Sequence, residues 1–178
     1  VALSYLLARK GKRILLIDSD LRHSGINKYI SYAAPQGLSQ YLQGNDDWRS
    51  MIVKPEPLGN FDVLGAGRKT LNAAELLSNG RLQHLFDQAE SEYDHIIVDG
   101  PPVLALADAP LIAITVTGVI MVVEANEGKW RYIESAIKRL EQGGATLLGA
   151  AVTKLDSRNA SYGYGYGYGY GYGEKSTK

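Results

Sequence analysis

The feature that most constrains this chain is a regular alternation of short apolar runs with longer amphipathic segments. The apolar runs, which we expect to be strands, lie at residues 13–18, 61–64, 95–99, 119–124 and 147–152. The segments with helical spacing lie at residues 2–9, 72–92 and 129–142. This alternation predicts an α/β fold, a doubly wound and mostly parallel sheet with helices on both faces and right-handed crossovers.

Local signals predict where the helices begin and end. Asn72 and Glu75 have the spacing of a capping box, in which each side chain accepts a hydrogen bond from the other residue's backbone N–H. Asn79 and Gly80 are predicted to break the segment that follows, and Gly11 to end the first helix. Asp108 is predicted to cap a further helix.

Composition excludes several classes of function. The chain of 178 residues carries 19 basic and 19 acidic residues, so no overall field attracts it to nucleic acid or to an anionic membrane. It has no cysteine, which excludes a disulfide framework and thiolate metal sites and fits a reducing compartment. Residues 103–123 are apolar, but Asp108, Pro110 and Gly118 interrupt them, so we expect core elements there rather than a membrane span.

The chain is expected to contain one domain and a tail. Residues 1–157 have the composition of a single buried domain, whereas residues 158–178 are of low complexity and include six Tyr-Gly pairs. Glycine at every second position raises the entropic cost of ordering, so we expect this tail to be flexible. Its composition alone fits either an adhesive repeat or a series of acceptor hydroxyls.

Two of the predicted strands end on aspartate. Residues 13–18 end at Asp18 and continue through Asp20 to Arg22, and residues 95–99 end at Asp99. The carboxyl ends of parallel strands open onto the same ligand crevice. Because Mg²⁺ prefers oxygen ligands and keeps several waters, convergent carboxylates beside a triphosphate would form a suitable site. A single aspartate would more often cap a turn, but the paired occurrence favours a metal site.

The motif Asp18-x-Asp20-x-Arg22 after an apolar strand resembles the A′ Walker motif of the bacterial tyrosine kinases. Asp99 and its strand resemble the Walker B motif of the same family. Other features that resemble this family are, in chain order, Asn72-x-x-Glu75-Leu76-Leu77, Tyr93-Asp94, Pro101-Pro102 with Asp108, and the terminal tyrosines.

The chain departs from the family at three positions that we expect to be peripheral to the metal chemistry. The family usually has proline where Ser24 and Ala73 stand, and threonine where Gly100 stands. These differences weaken the resemblance only slightly.

The resemblance implies a P-loop NTPase-like fold and a protein tyrosine autokinase that uses ATP and Mg²⁺. Asp18 would lie at the metal and accept the proton of the attacking tyrosine, Asp20 would support the site, and Asp99 would hold the metal. Arg22 would orient the loop or contact phosphate, although a surface salt bridge is an equal alternative. The implied phosphoacceptors, in another copy of the chain, are Tyr162, Tyr164, Tyr166, Tyr168, Tyr170 and Tyr172.

In the family, a Walker A loop that ends in Gly-Lys-Ser/Thr precedes a helix like that at residues 2–9. The loop, its lysine and the first strand are therefore expected upstream of Val1. Without this phosphate cradle, the chain alone is expected to bind Mg-ATP weakly and to be poorly active. Residues 173–177 imitate the end of the loop but lack the strand and helix that would surround it.

The resemblance also implies partners and a location. They are a homo-oligomer formed through the kinase domains, a membrane-anchored polysaccharide co-polymerase part or adaptor, protein tyrosine substrates and a phosphatase, with no nucleic acid. The protein would regulate exopolysaccharide polymerisation and export from the cytoplasmic side of the bacterial inner membrane.

Two alternatives to a kinase stay open. One is a deviant-Walker positioning ATPase, which would more often carry a membrane-binding helix or a basic patch than a tyrosine tail. The other is a chain that acts only as a phosphorylation substrate and interaction module, since it carries no Walker A loop.

Overall fold

A computed structural model describes residues 1–30, 35–55, 61–125 and 129–155. The strands in these ranges are β1 (Ile14–Asp18), β2 (Ile52–Val53), β3 (Asp62–Leu64), β4 (His95–Asp99), β5 (Val119–Glu124) and β6 (Leu147–Thr153). The helices are α1 (Ala2–Arg9), α2 (Leu38–Leu42), α3 (Ala73–Ser78), α4 (Arg81–Ala89), α5 (Asp108–Ala113) and α6 (Trp130–Gln142). Short 3₁₀ turns occur at Ile26–Lys28 and Trp48–Met51.

The central sheet has the strand order β2-β3-β1-β4. Strand β1 pairs in parallel with both β3 and β4, while the two-residue β2 pairs antiparallel with β3. Every residue of β1 is buried, because the strand has neighbours on both edges and packed side chains on both faces. The α/β class and the parallel arrangement predicted from the sequence are confirmed.

Two hydrophobic clusters cover the two faces of β1. Leu15 and Ile17 belong to the larger cluster, which includes buried residues of α2, α3 and α4. Ile14 and Leu16 belong to the smaller cluster, to which α1 contributes Ala8. This division follows from the strand period, in which successive side chains point to opposite faces.

Strands β5 and β6 form a separate two-stranded parallel sheet within the described ranges. Val122, Leu148 and Val152 are 68%, 67% and 59% exposed, so much of this strand pair is uncovered within the described ranges. No helix in those ranges has the length and apolar composition needed to cross a bilayer.

The predicted start of α3 is correct, but the predicted capping box is wrong. The Asn72 side chain makes no hydrogen bond to the helix backbone. Its Oδ1 instead accepts from the Thr70 hydroxyl, and its Nδ2 donates to the Glu75 carboxylate at 3.4 Å. A nearby side chain has therefore replaced the backbone as the partner.

Asp108 does not cap α5 as predicted. It is the first residue of that helix, and the preceding residue, Ala107, occupies the capping position. The Asp108 carboxylate is bound instead by the guanidinium of Arg22. The predicted break between α3 and α4 is confirmed, because Gly80 adopts a left-handed conformation with φ +81°.

A glycine-rich loop after β3 lies directly against the start of α2. The amide of Leu38 donates to the Gly65 carbonyl at 2.8 Å, and the amide of Ser39 donates to the Ala66 carbonyl at 3.0 Å. Gly67 has φ +76°, and a Cβ atom there would lie 2.1 Å from Oε1 of Gln40 and 2.8 Å from the Gly37 nitrogen. Only glycine therefore fits at this position.

We expect Gly67→Ala to destabilise the protein clearly more than Gly80→Ala. Both residues have a left-handed backbone, which costs about 1–2 kcal/mol for a residue with a Cβ. Only Gly67 is also crowded, since nothing lies within 4 Å of a Cβ placed at Gly80. Urea unfolding of both variants measures the difference, and equal losses would show that the packing against α2 does not constrain this loop.

Candidate functional site

The pairing of β1 with β4 places Asp18 directly opposite Asp99 at the carboxyl end of the sheet. Ser19 strengthens this junction, because its amide and its hydroxyl both donate to the Asp99 backbone carbonyl, at 2.9 and 2.7 Å. The residues of the two predicted Walker motifs therefore meet where parallel strands ordinarily present a ligand site. Their roles toward a metal remain a prediction.

Asp18 is a fully buried carboxylate. Its Oδ2 accepts a hydrogen bond from the Ser24 hydroxyl at 2.6 Å, and its Oδ1 accepts from the Asp20 amide at 3.2 Å. Burial raises the pKa of Asp18 above its ordinary value of 3.8, and the nearby Asp99 charge adds to this rise. The two hydrogen bonds act in the opposite direction by stabilising the charged form.

The contact between Ser24 and Asp18 corrects one expectation from the sequence. Ser24 was expected to be peripheral to the metal chemistry, but its hydroxyl binds the most deeply buried carboxylate of the site. No pattern in the sequence indicates this contact, because it depends on the path of the loop after β1.

Asp20 shapes the turn that follows β1. Its Oδ1 accepts from the backbone amides of Arg22 and His23, at 3.1 and 2.8 Å. The side chain is partly exposed. Asp20 therefore holds the loop of the A′-like motif in place, which is consistent with the supporting role predicted for it.

Asp99 is the solvent-exposed carboxylate of the pair. Despite the exposure of the residue as a whole, partial burial of its carboxyl group raises the pKa above 3.8. The negative charge of Asp20 raises the pKa of Asp99 by a further, smaller amount, because the two carboxylates repel each other.

Arg22 connects the loops that follow three adjacent strands. Its Nε and Nη2 donate to the Asp108 carboxylate at 2.7 and 3.4 Å, and its Nη1 donates to the Leu71 carbonyl at 3.0 Å. Arg22 thus forms a salt bridge, one of the two alternatives predicted from the sequence, with a side chain that is 20% exposed. These contacts also support the other alternative, in which Arg22 orients the loop.

The donor set fits a magnesium ion that keeps much of its water. Within the ranges described, no group of three or more acidic, histidine or cysteine side chains is arranged to hold a metal. Mg²⁺ in phosphate-binding sites commonly uses only one or two carboxylates together with substrate oxygens and water. Asp99 is open to solvent, whereas Asp18, its partner on the adjacent strand, is buried. The predicted acceptors Tyr162 to Tyr172 lie outside the described residues.

A parallel sheet with polar groups at its carboxyl edge is the arrangement of the doubly wound α/β proteins, which bind their ligands at that edge. Residues 1–142 match the family described as AAA domain. The cell division ATPase MinD of Pyrococcus furiosus has the same fold, with a TM-score of 0.68 at 20% identity over 84% of this chain and 62% of that one.

The more similar proteins are bacterial tyrosine kinases. Tyrosine-protein kinase CpsD of Streptococcus agalactiae is 32% identical over 91% of this chain and 71% of its own length. The kinase domain of the Escherichia coli tyrosine kinase ETK superposes with a TM-score of 0.83 at 33% identity, covering 94% of this chain and 65% of that one. The chain therefore belongs to the AAA domain family and, within it, to the bacterial tyrosine kinases.

Other relatives are much longer than the region they share with this chain. Tyrosine-protein kinase ptk of Acinetobacter johnsonii is 35% identical over 90% of this chain but over only 22% of its own length. The chain thus spans about a fifth of the first relatives it matches.

We expect Asp18→Asn and Asp94→Asn to change stability with opposite pH dependences. The pKa of Asp18 is raised, so its contribution to stability is present below its unfolded pKa of 3.8 and lost as pH rises through the folded value. The pKa of Asp94 is lowered by Arg13, so its contribution is present above 3.8 and lost as pH falls.

Relative to the unsubstituted protein, Asp18→Asn should therefore become more stable as the pH rises from about 3 to about 7. Asp94→Asn should become less stable over the same range. Urea unfolding across this pH range measures both. Parallel pH profiles for the two variants would contradict the burial of a charged Asp18.

Proposed function

We propose that Asp18, Asp20 and Asp99 form the metal and nucleotide site of an ATP-dependent protein tyrosine autokinase. The enzyme transfers the γ-phosphate of ATP to the tyrosines at positions 162–172 of another copy. The observation that carries the proposal is the pairing of Asp18 with Asp99 at the carboxyl edge of the sheet, in a member of the bacterial tyrosine kinase family.

Asp99 and Asp18 would have different roles toward the metal because they differ in exposure. Asp99 would contact Mg²⁺ or its water, and the buried Asp18 would add a second negative charge on the adjacent strand. A bound magnesium ion would neutralise charge on the phosphates during transfer. The same fold accommodates these ligands in cobyrinic acid a,c-diamide synthase of Mycobacterium smegmatis with bound ATP analog and magnesium, which is 23% identical with a TM-score of 0.70.

Asp18 would also accept the proton of the attacking tyrosine hydroxyl as its oxygen bonds to the γ-phosphorus and ADP leaves. Its raised pKa makes it a stronger base than an ordinary aspartate. Asp20 maintains the turn that presents this carboxylate, and Arg22 holds the turn against the neighbouring loops.

The names of two relatives support a proposal for the biological role of the protein. They include CpsD of S. agalactiae and the putative tyrosine-protein kinase EpsB of Ralstonia solanacearum. We propose that the protein regulates exopolysaccharide polymerisation and export at the inner face of the bacterial membrane. Its partners would be other copies of the kinase domain, a membrane-anchored co-polymerase part or adaptor, tyrosine substrates and a phosphatase.

We expect a longer, active form of the kinase that carries a Walker A loop to phosphorylate the tail of this chain in trans. Replacing one tail tyrosine, Tyr166→Phe, should reduce incorporated phosphate only modestly, because five equivalent tyrosines remain on glycine hinges. Replacing all six by phenylalanine should remove most of it. Mass spectrometry of the tail measures the incorporation.

The six-phenylalanine variant also provides the control for the nucleotide site. It should leave ATP affinity unchanged, because the acceptors and the carboxylates are separate groups. An unmodified tail beside an active kinase that labels itself would contradict the acceptor role and favour the adhesive repeat.

A further inference from the structure

The guanidinium of Arg22 binds one carboxylate and lies in the electrostatic field of a second, that of Asp20. It contacts Asp108, the first residue of α5. Asp20 belongs to the proposed site and is only two residues away, with its Oδ1 accepting the backbone amide of Arg22 at 3.1 Å. The side-chain hydrogen bonds of Arg22 go to Asp108 and Leu71 and not to Asp20, although the Asp20 charge lies close enough to act on the guanidinium.

Asp108 is well placed to hold this guanidinium. Its side chain is only 3% exposed, and it accepts from Nε and Nη2 of Arg22 at 2.7 and 3.4 Å. The segment that leads into α5 is held in turn by Arg139 of α6, which donates to the carbonyls of Leu104 and Leu106 at 3.3 and 3.0 Å. The backbone that carries Asp108 is therefore held in place by contacts other than the one with Arg22.

We propose that Asp108 is a positioning residue that keeps the Arg22 guanidinium away from Asp20 and Asp99, and so leaves these carboxylates available for a divalent cation. The inference rests on the proposed metal site. A guanidinium and a divalent cation compete for the same carboxylate oxygens, and arginine binds a carboxylate through two parallel hydrogen bonds.

The physical reason for the competition is the cost of an unpaired charge. A partly buried guanidinium that loses its carboxylate partner is destabilised, so it takes the nearest alternative partner. Without Asp108, that partner would belong to the metal site, because Asp20 adjoins Arg22 in the same turn. Arg22 would then neutralise the charge that attracts the cation.

The test compares Mn²⁺ affinity in three proteins by electron paramagnetic resonance. Asp108→Ala should weaken Mn²⁺ binding by about tenfold, the effect of one strong interaction between charges. The double variant Asp108→Ala/Arg22→Met removes the competing charge as well and should restore affinity to near that of the unsubstituted protein. A merely structural role for Asp108 predicts that the double variant binds as weakly as the single one, or more weakly.

Asp94→Asn is the matched control, because it removes the ion pair with Arg13, at the opposite end of β1, without touching the site. It should leave Mn²⁺ affinity unchanged. If Asp108→Ala does not fold, Asp108→Asn keeps one acceptor for Arg22 and should show a smaller loss in the same direction. Failure of the double variant to recover affinity would overturn the proposal.

A crystal structure of Asp108→Ala tests the inference without a metal. It should show the Arg22 guanidinium within about 4 Å of the carboxylate of Asp20 or Asp99. A guanidinium that stays at the Leu71 carbonyl, away from both carboxylates, would overturn the proposal. If the unsubstituted protein binds no Mn²⁺, the proposed metal site fails, and this structure alone decides where Arg22 goes.

Discussion

The parallel pairing of β1 with β4 is the interaction on which the candidate site depends. Five consecutive residue pairs, from Ile14 with His95 to Asp18 with Asp99, bring two distant parts of the chain into one register. Because successive strand residues point to opposite faces, a slip of one residue would separate the two carboxylates. Apolar packing on both faces of β1 opposes such a slip, so the hydrophobic core and the polar site are set by the same register.

The polar groups beyond the strands make a buried carboxylate tolerable. Asp18 loses its water, but the Ser24 hydroxyl and the Asp20 amide replace part of that solvation. Arg22 and Asp108 join the loops after β1 and β4, and the Leu71 carbonyl adds the loop after β3. The site is therefore held in place by contacts between three different loops. Such contacts fit a function that needs the carboxylates in fixed positions.

The sequence was sufficient to predict the features that local patterns determine. The apolar runs identified β1, β3 and β4, the glycine at position 80 marked the break before α4, and the paired aspartates indicated the site. The two-residue β2 is too short to leave a pattern. The contact that replaced the predicted cap at Asp108 spans 86 residues, whereas the cap predicted for Asn72 was replaced by the side chain of Thr70, two residues away. Local propensity cannot show which side chain, near or distant, will compete with the helix backbone for a capping residue.

The central claim is that the carboxyl edge of the sheet binds the divalent cation of a phosphoryl-transfer site. Paramagnetic broadening of backbone amide signals by Mn²⁺ tests it most directly, because the broadening falls steeply with distance from the ion. The account predicts the strongest broadening at the amides of Ser19, Asp20 and Gly100, and little at Arg13 and Asp94 on the opposite edge. Strongest broadening at the opposite edge, or none at the ends of β1 and β4, would contradict it.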